Sequence, residues 1–341
     1  MEHKPLPDWN TLSFKLFETD LIYRAFGDRN HDPVWQPGEF VPFAEISLSP
    51  AAAFISYGQG VFEGLKARRT ADDRILLFRL DANARRFGRS AARVGMSPFP
   101  EEEFVRAVAE LVRKNVRFVP PTGRGAFYVR PVQVALEPRL GLSLCDQFGV
   151  IAYGSPVGAY FAKGDQPGLR VRVLEQGRVA PGGTGAAKAM GNYAGTIPLA
   201  QPWKKRGFDD VLFLDAREER LVTESVGSNV FAVLRSGTLV TPPLDDQVLA
   251  GVTRDSVIHI ARELRGMTVE ERALPIDEVM KHATEVFFTG TAYTLLSVRE
   301  LSHRDDTARF PTSGIRDSLF EILDGIQTGR NEDPYDWNTE I

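Results

Sequence analysis

Phe87, Ala91 and Val94 fall at intervals of three and four residues in the segment that begins at Asp81. That is the spacing of one face of an α-helix, and it predicts a helix to about residue 94. Phe104, Ala107, Val108, Leu111 and Val112 repeat with the same period, which predicts a second helix over 101–116. The glutamates at 101 to 103 suit the positive end of that helix. Short apolar runs at 75–79, 126–136 and 148–153 read as strands. Earlier strands are expected around 21–25 and 40–43, among turn formers, with a short helical turn over 51–54. Helices stand beside strands here without regular βαβ alternation.

The second half is richer in strands. Segments 169–175, 211–215, 220–224, 229–234 and 238–241 carry strand patterns, the last four forming a meander with Arg235-Ser236-Gly237 as a hairpin turn. A helix follows Gly251-Val252-Thr253. It places Val257, Ile258, Ala261 and Leu264 inward and stops at Gly266. Strands are expected at 268–272 and 285–289. Ile315, Leu319, Ile322, Leu323 and Ile326 mark a terminal helix, and the polar tail from Thr328 reads as loose. The turn-rich stretch 158–168 reads as a linker. The pattern therefore predicts an N-terminal α+β domain over 1–157 and a larger C-terminal domain over 169–341.

Composition narrows the function classes. The chain has 341 residues, 43% hydrophobic and 25% charged, so it can bury a sizeable core. A net charge of -4 gives no basic surface for nucleic acid. One cysteine, Cys145, excludes an intrachain disulfide, and the five histidines lack metal-ligand spacing, so no metal is expected. No apolar run approaches the roughly 18 residues of a membrane helix, and the first ten residues are polar. The expectation is a soluble, cytoplasmic protein that binds neither nucleic acid nor membrane.

The candidate chemistry centres on Gly182-Gly183-Thr184-Gly185-Ala186-Ala187-Lys188, followed by Gly191-Asn192-Tyr193. Small neighbours leave room for a bulky group on the lysine and weaken solvation of its ammonium. A lysine neutralised by desolvation is a nucleophile whose product with a carbonyl is a Schiff base. Pyridoxal phosphate is the cofactor that uses this chemistry. It also needs an acid at the ring nitrogen, an anion site and a substrate-carboxylate site. Glu224, at a strand end, is a candidate acid, and is equally a plain surface carboxylate. Gly251-Val252-Thr253 opens a helix and can bind phosphate, while Thr253 is also a candidate N-cap. Gly290-Thr291-Ala292 is a second turn with backbone donors. Arg79, Arg85, Arg86 and Arg89 all qualify as the phosphate arginine. Tyr128 and Arg130 share one face of a strand and suit the substrate. A phosphate-binding loop ending Gly-Lys-Ser/Thr is absent.

Taken together these stretches resemble the branched-chain aminotransferases, fold-type IV pyridoxal-phosphate enzymes. The resemblance runs from about residue 41 to 329. It is carried by Tyr57-Gly58, Phe62-Glu63-Gly64-Leu65-Lys66-Ala67, Phe78-Arg79 through Arg86 and Arg93, Tyr128-Val129-Arg130-Pro131, the Lys188 stretch, Glu224 with Asn229 and Phe231, Thr241-Pro242-Pro243-Leu244, Gly251-Val252-Thr253-Arg254, Glu271-Arg272 and Gly290-Thr291-Ala292. It implies an α+β fold with a small N-terminal domain, a larger pseudo-barrel domain and the cofactor in the cleft between them. It implies that Lys188 is the catalytic residue, forms the Schiff base and shuttles the proton. Glu224 would pair with the pyridine nitrogen and Tyr193 with the ring hydroxyl. Arg86, Val252, Thr253 and Thr291 would hold the phosphate. Thr291 and Ala292 would meet the substrate carboxylate, with Tyr128, Arg130, Phe62 and Gly64 around the side chain. Tyr57 is expected to come from the neighbouring subunit of a homodimer. The implied reaction moves the amine of Leu, Ile or Val to 2-oxoglutarate.

Departures from the family fall where substrate is decided. Tyr293 follows Gly290-Thr291-Ala292 where small residues are common. Ser297-Val298 lacks a frequent proline, and Met190 replaces a frequent glycine. The alternatives keep fold and cofactor with an aromatic, D- or β-amino acid, or a lyase such as aminodeoxychorismate lyase.

Overall fold

The computed structural model describes residues 3–158, 168–311 and 314–341. The middle of the expected linker, 159–167, lies outside the described residues. The chain forms two units. The first comprises 1–162, 187–191 and 325–341, the second 163–186 and 192–324.

The first unit is an antiparallel sheet covered by two helices. Its strands are β1 (Leu21–Asp28), β2 (Glu39–Pro42), β3 (Gly60–Phe62), β4 (Leu65–Arg69), β5 (Ile75–Phe78), β6 (Ala126–Ala135) and β7 (Gln147–Val157). A short α1 (Ala53–Tyr57) precedes β3. The long β6 and β7 pair from Ala126↔Val157 to Ala135↔Phe148 and form the spine. Helices α2 (Leu80–Arg93) and α3 (Glu101–Lys114) lie at the expected positions. Leu80, Ala84, Phe87 and Ala91 of α2 are buried, as are all five expected residues of α3. Val94 lies just past α2 and only borders the core.

Two expectations about the chain's end are corrected. The tail is not loose, and it does not belong with the C-terminal domain. Asn338–Glu340 forms a strand antiparallel to β5, with Asn338 opposite Phe78. Trp337 is buried beside it, edge-on to Phe78, stacked on Tyr335 at 4.2 Å, and under the Arg79 guanidinium. A polar average over the tail concealed these aromatic anchors.

The second unit contains β8 (Leu169–Leu174), β9 (Asp210–Leu214), β10 (Val222–Ser225), β11 (Asn229–Leu234), β12 (Leu239–Thr241), β13 (Val269–Glu271), β14 (Ala283–Gly290), β15 (Thr294–His303) and β16 (Asp306–Arg309). Strands β10, β9, β8, β15, β14 and β11 pair in that order, and β10 pairs back to β11. This closes a six-strand ring, the barrel of the fold expected from the resemblance. Both pairings of β8, with β9 and with β15, are parallel, so the simple antiparallel meander is only part of the sheet. Phe231 and Phe287 stack at 5.2 Å on neighbouring strands of the core.

The helices of this unit are α4 (Met190–Lys204), α5 (Val252–His259), α6 (Ile276–His282) and α7 (Ile315–Gln327). Helix α4 is not evident in the hydrophobic pattern, because Pro198 and Pro202 lie inside it. Tertiary packing of Ala200, Leu199 and Trp203 against Leu174, Val211 and Phe213 stabilises it instead. Past α5 the chain makes a π-turn over Ile260–Leu264, which leaves Leu264 exposed rather than inward.

Replacing Trp337 with alanine removes the packing that fixes the C-terminal strand. We expect a loss of about 3 kcal/mol in urea unfolding, the range for large buried aromatics. A loss below about 0.5 kcal/mol would show the tail to be dispensable.

Candidate functional site

In the first unit, Lys188 is fixed by its backbone. Its N–H donates to Ser90 Oγ of α2 at 3.0 Å, and its carbonyl accepts the N–H of Phe62 at 3.1 Å. Ala189 bridges to Val61 next to it. The lysine-bearing segment thus docks on β3 although it is far away in sequence. The Nζ of half-buried Lys188 sits 4.7 Å from the centre of the Phe62 ring. Arg130 lies at 4.8 Å from the same ring, and its Nη2 donates to Tyr128 Oη at 3.0 Å. The expected pairing of Tyr128 and Arg130 on one face of a strand is therefore present, in β6. Gly64 explains itself here: a Cβ on it would stand 1.9 Å from Tyr128 Oη. Met190 has a comparable fit, since a Cβ on Gly60 would meet its sulfur at 2.9 Å.

Arg86 differs from its three neighbouring candidates by being buried. It makes a two-pronged ion pair with fully buried Glu63, Nε to Oε1 at 2.7 Å and Nη2 to Oε2 at 2.8 Å. This geometry fixes the plane of the guanidinium and matches its charge. Glu63 lies in the stretch Phe62-Glu63-Gly64, where nothing in the sequence marks it as a partner of Arg86. Only the fold shows that its carboxylate orients Arg86.

In the second unit, Glu224 is buried in β10, so the surface alternative is set aside. Asn229 Nδ2 donates to its Oε2 at 3.0 Å and also to the Leu249 carbonyl at 2.9 Å. The Leu249 N–H lies 3.3 Å from both carboxylate oxygens. Arg178 pairs with Oε1 at 2.6 Å. Asn229 also shapes the start of α5. A Cβ on Gly251 would fall 2.0 Å from Asn229 Oδ1, so only glycine fits. Gly251 is the N-cap, with an extended backbone. The expected cap at Thr253 is corrected: Val252 and Thr253 are the first two helical residues, with N–H groups at the open end of the helix. Burial lowers the pKa of Arg254, which donates to the Pro242 carbonyl and to Glu271.

Thr291 and Ala292 occupy the tight turn between β14 and β15. Tyr293 ends that turn, and its hydroxyl meets Ser228 Oγ beside Asn229. Tyr193 stands in the first turn of α4, half-buried. Next to it, Asn192 clamps the glycine loop, accepting from Thr184 Oγ1 at 2.6 Å and donating to the Thr184 carbonyl at 2.8 Å. Asp246 takes the Gly182 N–H, and the Arg217 guanidinium together with that N–H holds its carboxyl down to about 2. Tyr57, by contrast, is exposed at the end of α1 and donates to the Leu140 carbonyl. Among the described residues no cluster of metal-ligating side chains occurs.

The chain matches known proteins along nearly its whole length. The family model for amino-transferase class IV matches residues 60–301. Branched-chain amino acid aminotransferase 1, mitochondrial, of Humulus lupulus is 40% identical over 337 residues, covering 98% of this chain and 84% of that protein. A methionine aminotransferase of Arabidopsis thaliana is also 40% identical, covering 98% and 93%. Among solved structures, the branched-chain aminotransferase of Thermoproteus uzoniensis with norvaline superposes with a TM-score of 0.78 at 30% identity, covering 93% of this chain and 98% of that one.

The Glu63–Arg86 pair yields a direct test. Glu63→Ala strands a buried cation and should cost about 3–5 kcal/mol in urea unfolding. The double variant Glu63→Ala/Arg86→Met should recover much of that loss. Equal stability of Glu63→Ala and wild type would show that the pair is solvated in solution.

Proposed function

The chain belongs to the class IV aminotransferases, and from that premise we propose that it transfers the amine of Leu, Ile or Val to 2-oxoglutarate, giving branched-chain 2-oxo acids and L-glutamate. The class uses pyridoxal phosphate, and related solved structures hold it or its amine form. The residues present fit that group. The carrying observation is the buried carboxylate of Glu224, which accepts from the Asn229 amide and the Leu249 N–H at the mouth of a helix whose first N–H groups are open.

The cofactor supplies a carbonyl for amine condensation and a protonated ring that accepts electron density from the substrate α-carbon. Lys188 Nζ would hold the cofactor through its carbonyl carbon and, once the substrate amine had displaced it, would be the free amine that takes the α-proton as general base. Glu224 balances the positive ring nitrogen, and Tyr193 donates to the ring hydroxyl. Arg86, the Val252 and Thr253 N–H groups and the Thr291 hydroxyl hold the phosphate. The Thr291 and Ala292 N–H groups receive the substrate carboxylate. Phe62, Gly64, Tyr128 and Arg130 enclose its side chain, and the Phe62 ring beside Lys188 favours an apolar one.

The proposal includes a homodimer in the cytoplasm, with Tyr57 lining the partner's site. Leu140 and Leu142 of the loop beside Tyr57 are 91% and 87% exposed in the single chain. Apolar side chains so exposed, together with Ile55, support a covered surface. A second reading keeps the chemistry but favours an unbranched donor such as methionine. The Tyr293–Ser228 contact at the substrate turn supports it, as does the similar methionine aminotransferase.

The purified protein should be yellow, and borohydride should fix the cofactor on the peptide containing Lys188. A colourless protein that takes up no pyridoxal phosphate overturns the proposal. With 2-oxoglutarate as acceptor, Leu, Ile and Val should turn over faster than methionine, and the reverse order selects the second reading. Glu224→Ala should lower kcat about a hundredfold or more, as for loss of a main charge-stabilising group. Light scattering should give twice the mass of the 341-residue chain, and a monomeric active enzyme would remove the dimer. Fractionation of native cells should recover the enzyme in the soluble cytosolic fraction, and recovery within an organelle would remove that location.

A further inference from the structure

The second unit holds a buried cation that none of these roles uses. Arg178 lies beyond β8, and its side chain is 3% exposed. Its Nη2 stands 2.6 Å from Glu224 Oε1. The same nitrogen donates to the Gly185 carbonyl at 3.0 Å and to the Gln247 carbonyl at 3.2 Å. These partners belong to three separate stretches: strand β10 with the acid, the glycine loop that precedes Lys188, and the segment that leads into α5.

Burying an arginine is costly unless it is paired and hydrogen-bonded. Arg178 is both, and its partners are those that matter to Glu224. The Asn229 amide and the Leu249 N–H, which also meet Glu224, are neutral donors, whereas Arg178 brings a full positive charge. The guanidinium meets the carboxylate through one nitrogen, as a fixed charge at 2.6 Å. The Gly185 and Gln247 bonds then fix the guanidinium itself. Gly185 is packed against the same segment, since a Cβ on it would meet the Asp246 carbonyl at 2.5 Å.

We propose that Arg178 is a positioning residue for Glu224. Its guanidinium holds the carboxylate in one rotamer and ties it to the loop before Lys188, so that the acid meets the cofactor ring in a single orientation. The proposal rests on the reading of Glu224 as the ring-nitrogen partner.

The test is a double-mutant cycle on cofactor binding. The dissociation constant of pyridoxal phosphate is measured by equilibrium dialysis for wild type, Arg178→Met, Glu224→Gln and the double variant. Arg178→Met should raise the constant at least about tenfold. In the Glu224→Gln background the same change should matter less than about threefold, because the coupled partner is gone. An equal effect in both backgrounds overturns the proposal, as does an unchanged constant in Arg178→Met. Should Arg178→Met fail to fold, Arg178→Gln carries the same cycle: it removes the charge that faces Glu224, and the same two outcomes decide. A wild type that binds no cofactor overturns the proposed function and this inference together. Normal binding with an Arg178 effect that ignores Glu224 overturns this inference alone.

Discussion

The placement of Lys188 rests on a backbone hydrogen bond, from the Phe62 N–H to the Lys188 carbonyl. A lysine in a run of small residues gains little packing from its sequence neighbours. The sequence around it, Ala186-Ala187-Lys188-Ala189, supplies almost no apolar area for anchoring. Position must therefore come from the main chain, and β3 provides it, with the Ser90 hydroxyl on the other flank. Small residues now have a second use besides leaving room for a bulky group: they let the segment approach β3 closely enough for these bonds to form.

The same economy governs the charges. Glu63 with Arg86, and Glu224 with Arg178, are both buried ion pairs, the first two-pronged and the second through a single nitrogen. Replacing either by well-packed apolar residues could leave stability unchanged or improved. Their retention is understandable as orientation. A buried pair has few alternative rotamers, and each pair points one member at a group with a proposed role. Around them the fold provides neutral donors, from Asn229 and Leu249, rather than further charges.

Helices α2 and α3 were legible in the sequence because their apolar stripes are regular and their burial is one-sided. Individual strands were legible too, as was the shared strand face of Tyr128 and Arg130, because alternate residues of a strand point the same way. Other features were hidden for identifiable reasons. Helix α4 carries two prolines and almost no amphipathic pattern, so its stability lies in Trp203 and its neighbours packing on β8 and β9. Closure of the barrel depends on parallel pairings of β8 with distant strands, which no local pattern encodes. Glu63 and Arg178 looked like ordinary charges, because a charge's value depends on burial and partner. Among four arginines composition left the choice open, and only the fold shows that Arg86 is the buried one, paired with Glu63.

The strand Asn338–Glu340 completes the first unit's sheet, yet it is translated after the entire second unit. The lysine segment 187–191 also joins the first unit late. On the ribosome, the second unit can therefore close its ring while the first still exposes the edge of β5. An unpaired edge in a nascent chain is a template for the wrong partner. The order of synthesis and the order of completion are thus reversed for the N-terminal half, and its vulnerable interval lasts until the strand Asn338–Glu340 has left the exit tunnel.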